Sequence, residues 1–172
     1  MKKISLLSVV VAAFMLASCG SSIMVPKALN TVATASFADL NLRSGDYQIL
    51  NTVSADATVY LKVGTKTTTI SDEINEFVLT YVKTKKGIEF YHSGVLRVGY
   101  LGNDYSYDPN EKYSAEDVAR RLAIYRLINA AKQNGADGII EPTISTNVEQ
   151  KGETIVFKTT ASSKIIKLNT HE

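Results

Sequence analysis

The chain has 172 residues, with 19 Lys and Arg against 17 Asp and Glu, a single Cys and no Trp. One thiol excludes an internal disulfide and a structural zinc site built from several cysteines, and the near-balanced charge supplies no basic field for nucleic acid. The length suits one domain with one sizeable core.

In chain order, Lys2 and Lys3 precede the apolar run from Ile4 to Ala17. That run is shorter than the roughly 20 residues a membrane span needs, so residues 1–18 are expected to be a cleaved export signal. The run closes on Leu16-Ala17-Ser18-Cys19, which resembles the lipobox of bacterial lipoproteins. The resemblance implies cleavage before Cys19, a diacylglyceryl group on its thiol and fatty acylation, such as palmitate, of the new amino terminus. Such chains hold a protein at a membrane through about 0.8 kcal/mol per buried methylene. Loss of Lys2 and Lys3 leaves 17 basic residues against 17 acidic ones. Gly20 rather than an aspartate follows Cys19, and by the same resemblance this implies the outer membrane, with the domain facing the periplasm.

Residues 19–46, rich in Ala, Ser, Thr and Asn, are read as the lipidated cysteine and a tether, and 47–172 as a single domain. From Tyr47 to Val63 apolar and polar residues alternate, which predicts a long strand with one dry face. Leu50 and Asn51 break the phase, so a bulge is expected there. Glu76 to Lys83 and Ile88 to Tyr91, joined through Thr84-Lys85-Lys86-Gly87, predict a hairpin. Val95 to Leu101 is expected to add a strand.

The segment from Ser114 to Gly135 predicts the one long helix. Ser114 caps its start, Glu116 and Asp117 put negative charge at its positive end, and Gly135 stops it. Apolar residues spread beyond one stripe, so more than one surface must cover it. Ile139 to Glu149 and Thr154 to Leu168, around Gln150-Lys151-Gly152-Glu153, predict a terminal hairpin, and Pro142 predicts an edge or strand start. The expected fold is α+β: an antiparallel sheet packed against one long helix, built from strands, an inserted hairpin, the helix and a C-terminal hairpin. Lipobox, strand, helix, Gly135-Ala136-Asp137-Gly138-Ile139-Ile140 and final hairpin together resemble small bacterial outer-membrane lipoproteins of unknown function. That resemblance implies the α+β fold and carries no catalytic residue; the span from Gly64 to Tyr113 stands out as an insertion.

The candidate recognition loop is Gly99 to Tyr113, where Tyr100, Asp104, Tyr105, Tyr107, Asp108 and Tyr113 interleave aromatic rings with acids. Tyrosines offer rigid area plus a hydroxyl. Asp104, Ser106, Asp108 and Asn110 repeat at spacing two like a calcium loop, but Pro109 stands where the sharp turn needs glycine and Ala115 occupies the twelfth position. No metal site or cofactor is therefore expected. His92 and Ser93 are adjacent on a strand and point to opposite faces, so they make no nucleophile and base pair. The functional expectation is a non-catalytic structural or interaction lipoprotein that holds an envelope protein and binds no nucleic acid. A ligand- or calcium-binding domain using residues 99–113 is the alternative, and an envelope hydrolase the third.

Overall fold

The computed structural model describes residues 25–35, 45–102 and 113–169. Within them the elements run β1 (Lys27–Ala35), β2 (Tyr47–Val63), β3 (Thr67–Asp72), β4 (Phe77–Thr84), β5 (Gly87–Gly94), β6 (Leu96–Leu101), α1 (Ala115–Gln133), β7 (Gly138–Lys151) and β8 (Thr154–Leu168). The eight strands form one sheet in the order β5-β4-β3-β2-β8-β7-β1-β6. One helix packed on a mostly antiparallel sheet makes the fold α+β, dominated by sheet.

The two ends of that order, β5 and β6, are consecutive in the chain and separated only by Val95. A flat sheet would hold its first and last strands some seven spacings of about 4.8 Å apart. The sheet is therefore curled, and α1 lies in the hollow, against β2, β6 and β8 at once. Leu96 and Val98 of β6 meet Phe77 and Leu79 of β4 and Val118 and Ala119 of α1 in one apolar cluster. A second cluster joins Leu122, Leu127 and Ile128 of the helix to Val53, Ala57, Ile139, Ala161 and Ile165.

This enclosure explains the wide apolar surface of α1. Nine of its residues are buried, and none from Arg121 to Ala131 is exposed. Its start follows the sequence expectation: the Ser114 hydroxyl accepts from the Asp117 amide at 3.0 Å and donates to the Asp117 carboxylate at 2.7 Å. Its end is a Schellman turn, with the Ala136 amide on the Ala131 carbonyl at 3.1 Å and the Gly135 amide on Lys132 at 3.0 Å. Gly135 has φ +72°, a conformation that glycine adopts without penalty. At Gly99 the helix lies directly on the strand: a side-chain carbon there would sit 2.2 Å from the Tyr125 amide nitrogen.

Bulges flank the central strand on both sides. β2 shifts register against β8 between Ile49 and Thr52, as its broken phase predicts, and β7 shifts between Ile140 and Thr143. In the second bulge Glu141 is exposed with φ +50°, followed by Pro142. Ser163, almost fully buried, answers the interruption by donating its hydroxyl to the Ile140 carbonyl at 2.7 Å.

One expectation is corrected, and two strand placements are added to it. Residues 27–35, placed in the tether, form β1, which pairs in parallel with β6 and β7, so the sheet is not wholly antiparallel. Its sequence, KALNTVATA, has no strong alternation, and its strand character comes from partners distant in the chain. Thr67–Asp72 is a further strand between β2 and the inserted hairpin. The strand expected at Val95–Leu101 forms as β6 and pairs with β1, not with the hairpin that precedes it.

Candidate functional site

Of the residues singled out in the sequence, Cys19, Asp104, Tyr105, Tyr107 and Asp108 lie outside the described residues. The other two, Tyr100 and Tyr113, stand at the ends of the recognition segment and are both fastened to the body of the domain. Arg121 donates to the Tyr100 hydroxyl at 3.1 Å and lies over its ring, 5.6 Å from the centroid. The Lys27 ammonium sits 5.4 Å from the Tyr113 ring centroid, and the Tyr81 hydroxyl donates to the Tyr113 carbonyl at 3.3 Å. Both rings also pack against the core under the helix start. His92 is partly buried on β5 beside Phe90, and its Nδ1 has no hydrogen-bond partner.

The acidic turn between β3 and β4 performs two structural tasks. Asp72, 3 % exposed, accepts from the Phe77 amide at 3.2 Å and closes the turn. Asp72 borders a small space of about 10 Å³ at the seam where β6 meets β4, lined also by Arg97 and Glu76, which form an ion pair. Burial holds the Asp72 carboxyl above its ordinary range, partly opposed by the Phe77 hydrogen bond and reinforced by Glu73 and Glu76. Glu73 serves the second task. β3 ends at Asp72 opposite Val59, leaving β2 unpaired on that side before Val59. There Arg126 donates to the Asp56 carbonyl at 2.7 Å and pairs with Glu73, whose other oxygen accepts from the Thr58 amide at 3.1 Å.

The raised Asp72 carboxyl has a definite sign in stability. The native state holds that proton more tightly than the unfolded chain, so Asp72 costs stability as pH rises from about 3.9 through its higher folded value. Asp137 and Glu149 act oppositely: Lys167 with the Leu168 amide, and Lys158 with Lys151, lower their carboxyls, and their contribution is lost as pH falls below about 4. Asp72→Asn keeps an acceptor for Phe77 and removes the buried charge. It should be more stable than the parent at pH 7 and lose the falling limb in a urea-melt series across pH 4–7; a less stable variant at pH 7 would contradict this account.

The surface left open lies at the other end of the central strands. β7 pairs with β1 only through Gly138–Ile140, and among the described residues no strand pairs with its second edge from Thr143 to Lys151. Pro142 stands where this edge begins, as its missing donor predicts. The inner face beside the edge is not covered by the helix. The register aligns Val148 with Phe157 and Val59, and Ile155 with Leu61. Val148 is 53 % exposed and Val63 is 51 % exposed, while Phe157, Ile155 and Leu61 between them are partly exposed. An apolar strip thus borders this strand edge, an arrangement that accepts an extended segment.

Sequence reasoning found β2, β7 and β8 but not this surface. The signal was present in the dry parity of Leu61 and Val63 and in the alternation of Ile144, Thr146 and Val148; the extent of helix cover was not. Among the described residues no helix is long and apolar enough to cross a membrane, and no group of three or more His, Cys, Asp or Glu is placed to hold a metal. No protein-family model matches the chain, and no significant match exists among curated proteins or solved structures.

Proposed function

We propose that the chain is a lipid-anchored, periplasm-facing lipoprotein of the outer membrane that holds an envelope protein by accepting one of its extended segments on β7. The observation that carries the binding mode is the edge Thr143–Lys151, unpaired among the described residues, beside the apolar strip of Val148, Phe157 and Leu61. Backbone pairing would supply affinity, and alternate apolar side chains of the guest would supply specificity on the strip. The helix flank is a poorer surface, since its middle is enclosed. Tyr100 and Tyr113 are occupied in fastening the ends of their own segment. The anchor rests on Leu16-Ala17-Ser18-Cys19.

The test is a photo-crosslinking residue in place of Gln150, introduced into the full chain in cells. One discrete adduct should appear in the membrane fraction, and Val148→Asp should reduce it by about tenfold, the effect of about 1.4 kcal/mol. Cys19→Ala should move the protein out of that fraction. An adduct indifferent to Val148→Asp would overturn the binding mode, and membrane retention of Cys19→Ala would overturn the anchor.

A further inference from the structure

The opposite, outward face of the same strands carries a different kind of site. There the register sets Lys62 between Thr69 and Thr154, with Lys151 beyond, and sets Tyr60 between Ser71 and Val156. These seven residues line an open groove of about 490 Å³, within the range of about 300–1,000 Å³ of small-ligand sites. Val156 is 3 % exposed and Tyr60 36 % exposed, so a ring and a buried apolar floor lie within a rim of hydroxyls and ammonium groups.

The charge of the groove is mainly positive, with three lysines about it and Glu149, opposite Val156, as the carboxylate beside them. Lys62 and Lys151 line it, and Lys158 stands in the next row opposite Thr58. Glu149 pairs with Lys158 at 3.1 Å and Lys151 at 3.4 Å, while among the described residues Lys62 has no carboxylate partner. The floor of the groove lies over β3, β2 and β8, which are paired on both sides here, and only Lys151 comes from β7, so the floor offers a peptide no backbone to pair with. A sugar needs none. Its hydroxyls both donate and accept, matching Tyr60, Thr69, Ser71 and Thr154, and the apolar face of a pyranose can lie on an aromatic ring. The lysines call for carboxylates on that sugar.

We infer that the groove around Tyr60 binds an anionic glycan, a chain of sugar rings bearing carboxylates. The inference is independent of the β7 edge, because it uses the other face of the sheet and a non-protein ligand. The experiment is calorimetric titration of the full chain in detergent with oligogalacturonate, a neutral chito-oligosaccharide of equal length and poly-L-glutamate. Oligogalacturonate should bind at least about tenfold more tightly than the other two, and added salt should weaken it. Tyr60→Ala and Lys62→Ala should each weaken it about tenfold with unchanged melting, whereas Lys164→Ala, farther along the outward face of β8, should not. Absence of oligogalacturonate binding overturns the proposal. So does equal binding of poly-L-glutamate, which would reduce the site to charge alone, or equal binding of the neutral sugar, or indifference to Tyr60→Ala.

Discussion

Gly99→Ala should destabilise the domain by about 3 kcal/mol or more, near the upper end of single-residue effects. The added carbon would stand 2.2 Å from the Tyr125 nitrogen and 2.5 Å from the Ile124 carbonyl carbon. These are backbone atoms of an enclosed helix, so no side chain can swing aside. Either α1 moves off β6, opening both apolar clusters, or the strand leaves its register with β1. For a domain of this size the melting temperature should fall by roughly 6–12 °C. Gly45→Ala is the control, since nothing lies within 4 Å of a carbon added there and it should change stability by less than about 1 kcal/mol. Equal melting of Gly99→Ala and parent would show that helix and strand do not need this contact.

The second large effect is expected at Arg126. Removing its side chain leaves the Asp56 carbonyl and the Glu73 carboxylate without their donor at a partly enclosed place, and such orphaned groups cost about 1–3 kcal/mol each. Arg126→Ala should therefore lower stability by about 2–3 kcal/mol in urea melts. Glu73→Gln, which keeps an acceptor for the Thr58 amide, should cost about 1 kcal/mol. The two form one network, so the double variant should fall short of the sum by more than about 0.5 kcal/mol. Strict additivity would mean that Arg126 and Glu73 act separately.

The elements that the sequence disclosed are those whose signal is local. Ser114, Asp117 and Gly135 mark the helix within one turn of each end, and the alternation from Val53 to Val63 marks β2 without reference to any partner. The bulge at Leu50-Asn51 was visible as a phase error. β1 was hidden because its residues are small and mixed, and its place depends on parallel partners at Leu96 and Gly138 far along the chain. The curl of the sheet was hidden for a related reason. It follows from the short joint at Val95 and the missing side chain at Gly99, each ordinary when seen alone. Candidate sites fared unevenly: the tyrosines could be listed from sequence, but only geometry shows Tyr100 and Tyr113 fastened, Val148 exposed and Tyr60 beside Lys62.

The position of β8 carries a consequence for the order of events in folding. β8 lies between β2, which leads to β3, β4 and β5, and β7, which leads to β1 and β6. Before residues 154–168 are available, these two groups have no ladder joining them directly through the sheet. A chain delivered amino terminus first must therefore stay unclosed until β8 emerges. Such late, long-range closure is slow compared with local folding. Until β8 is in place the two groups remain separable, and β8 acts as the latch between them.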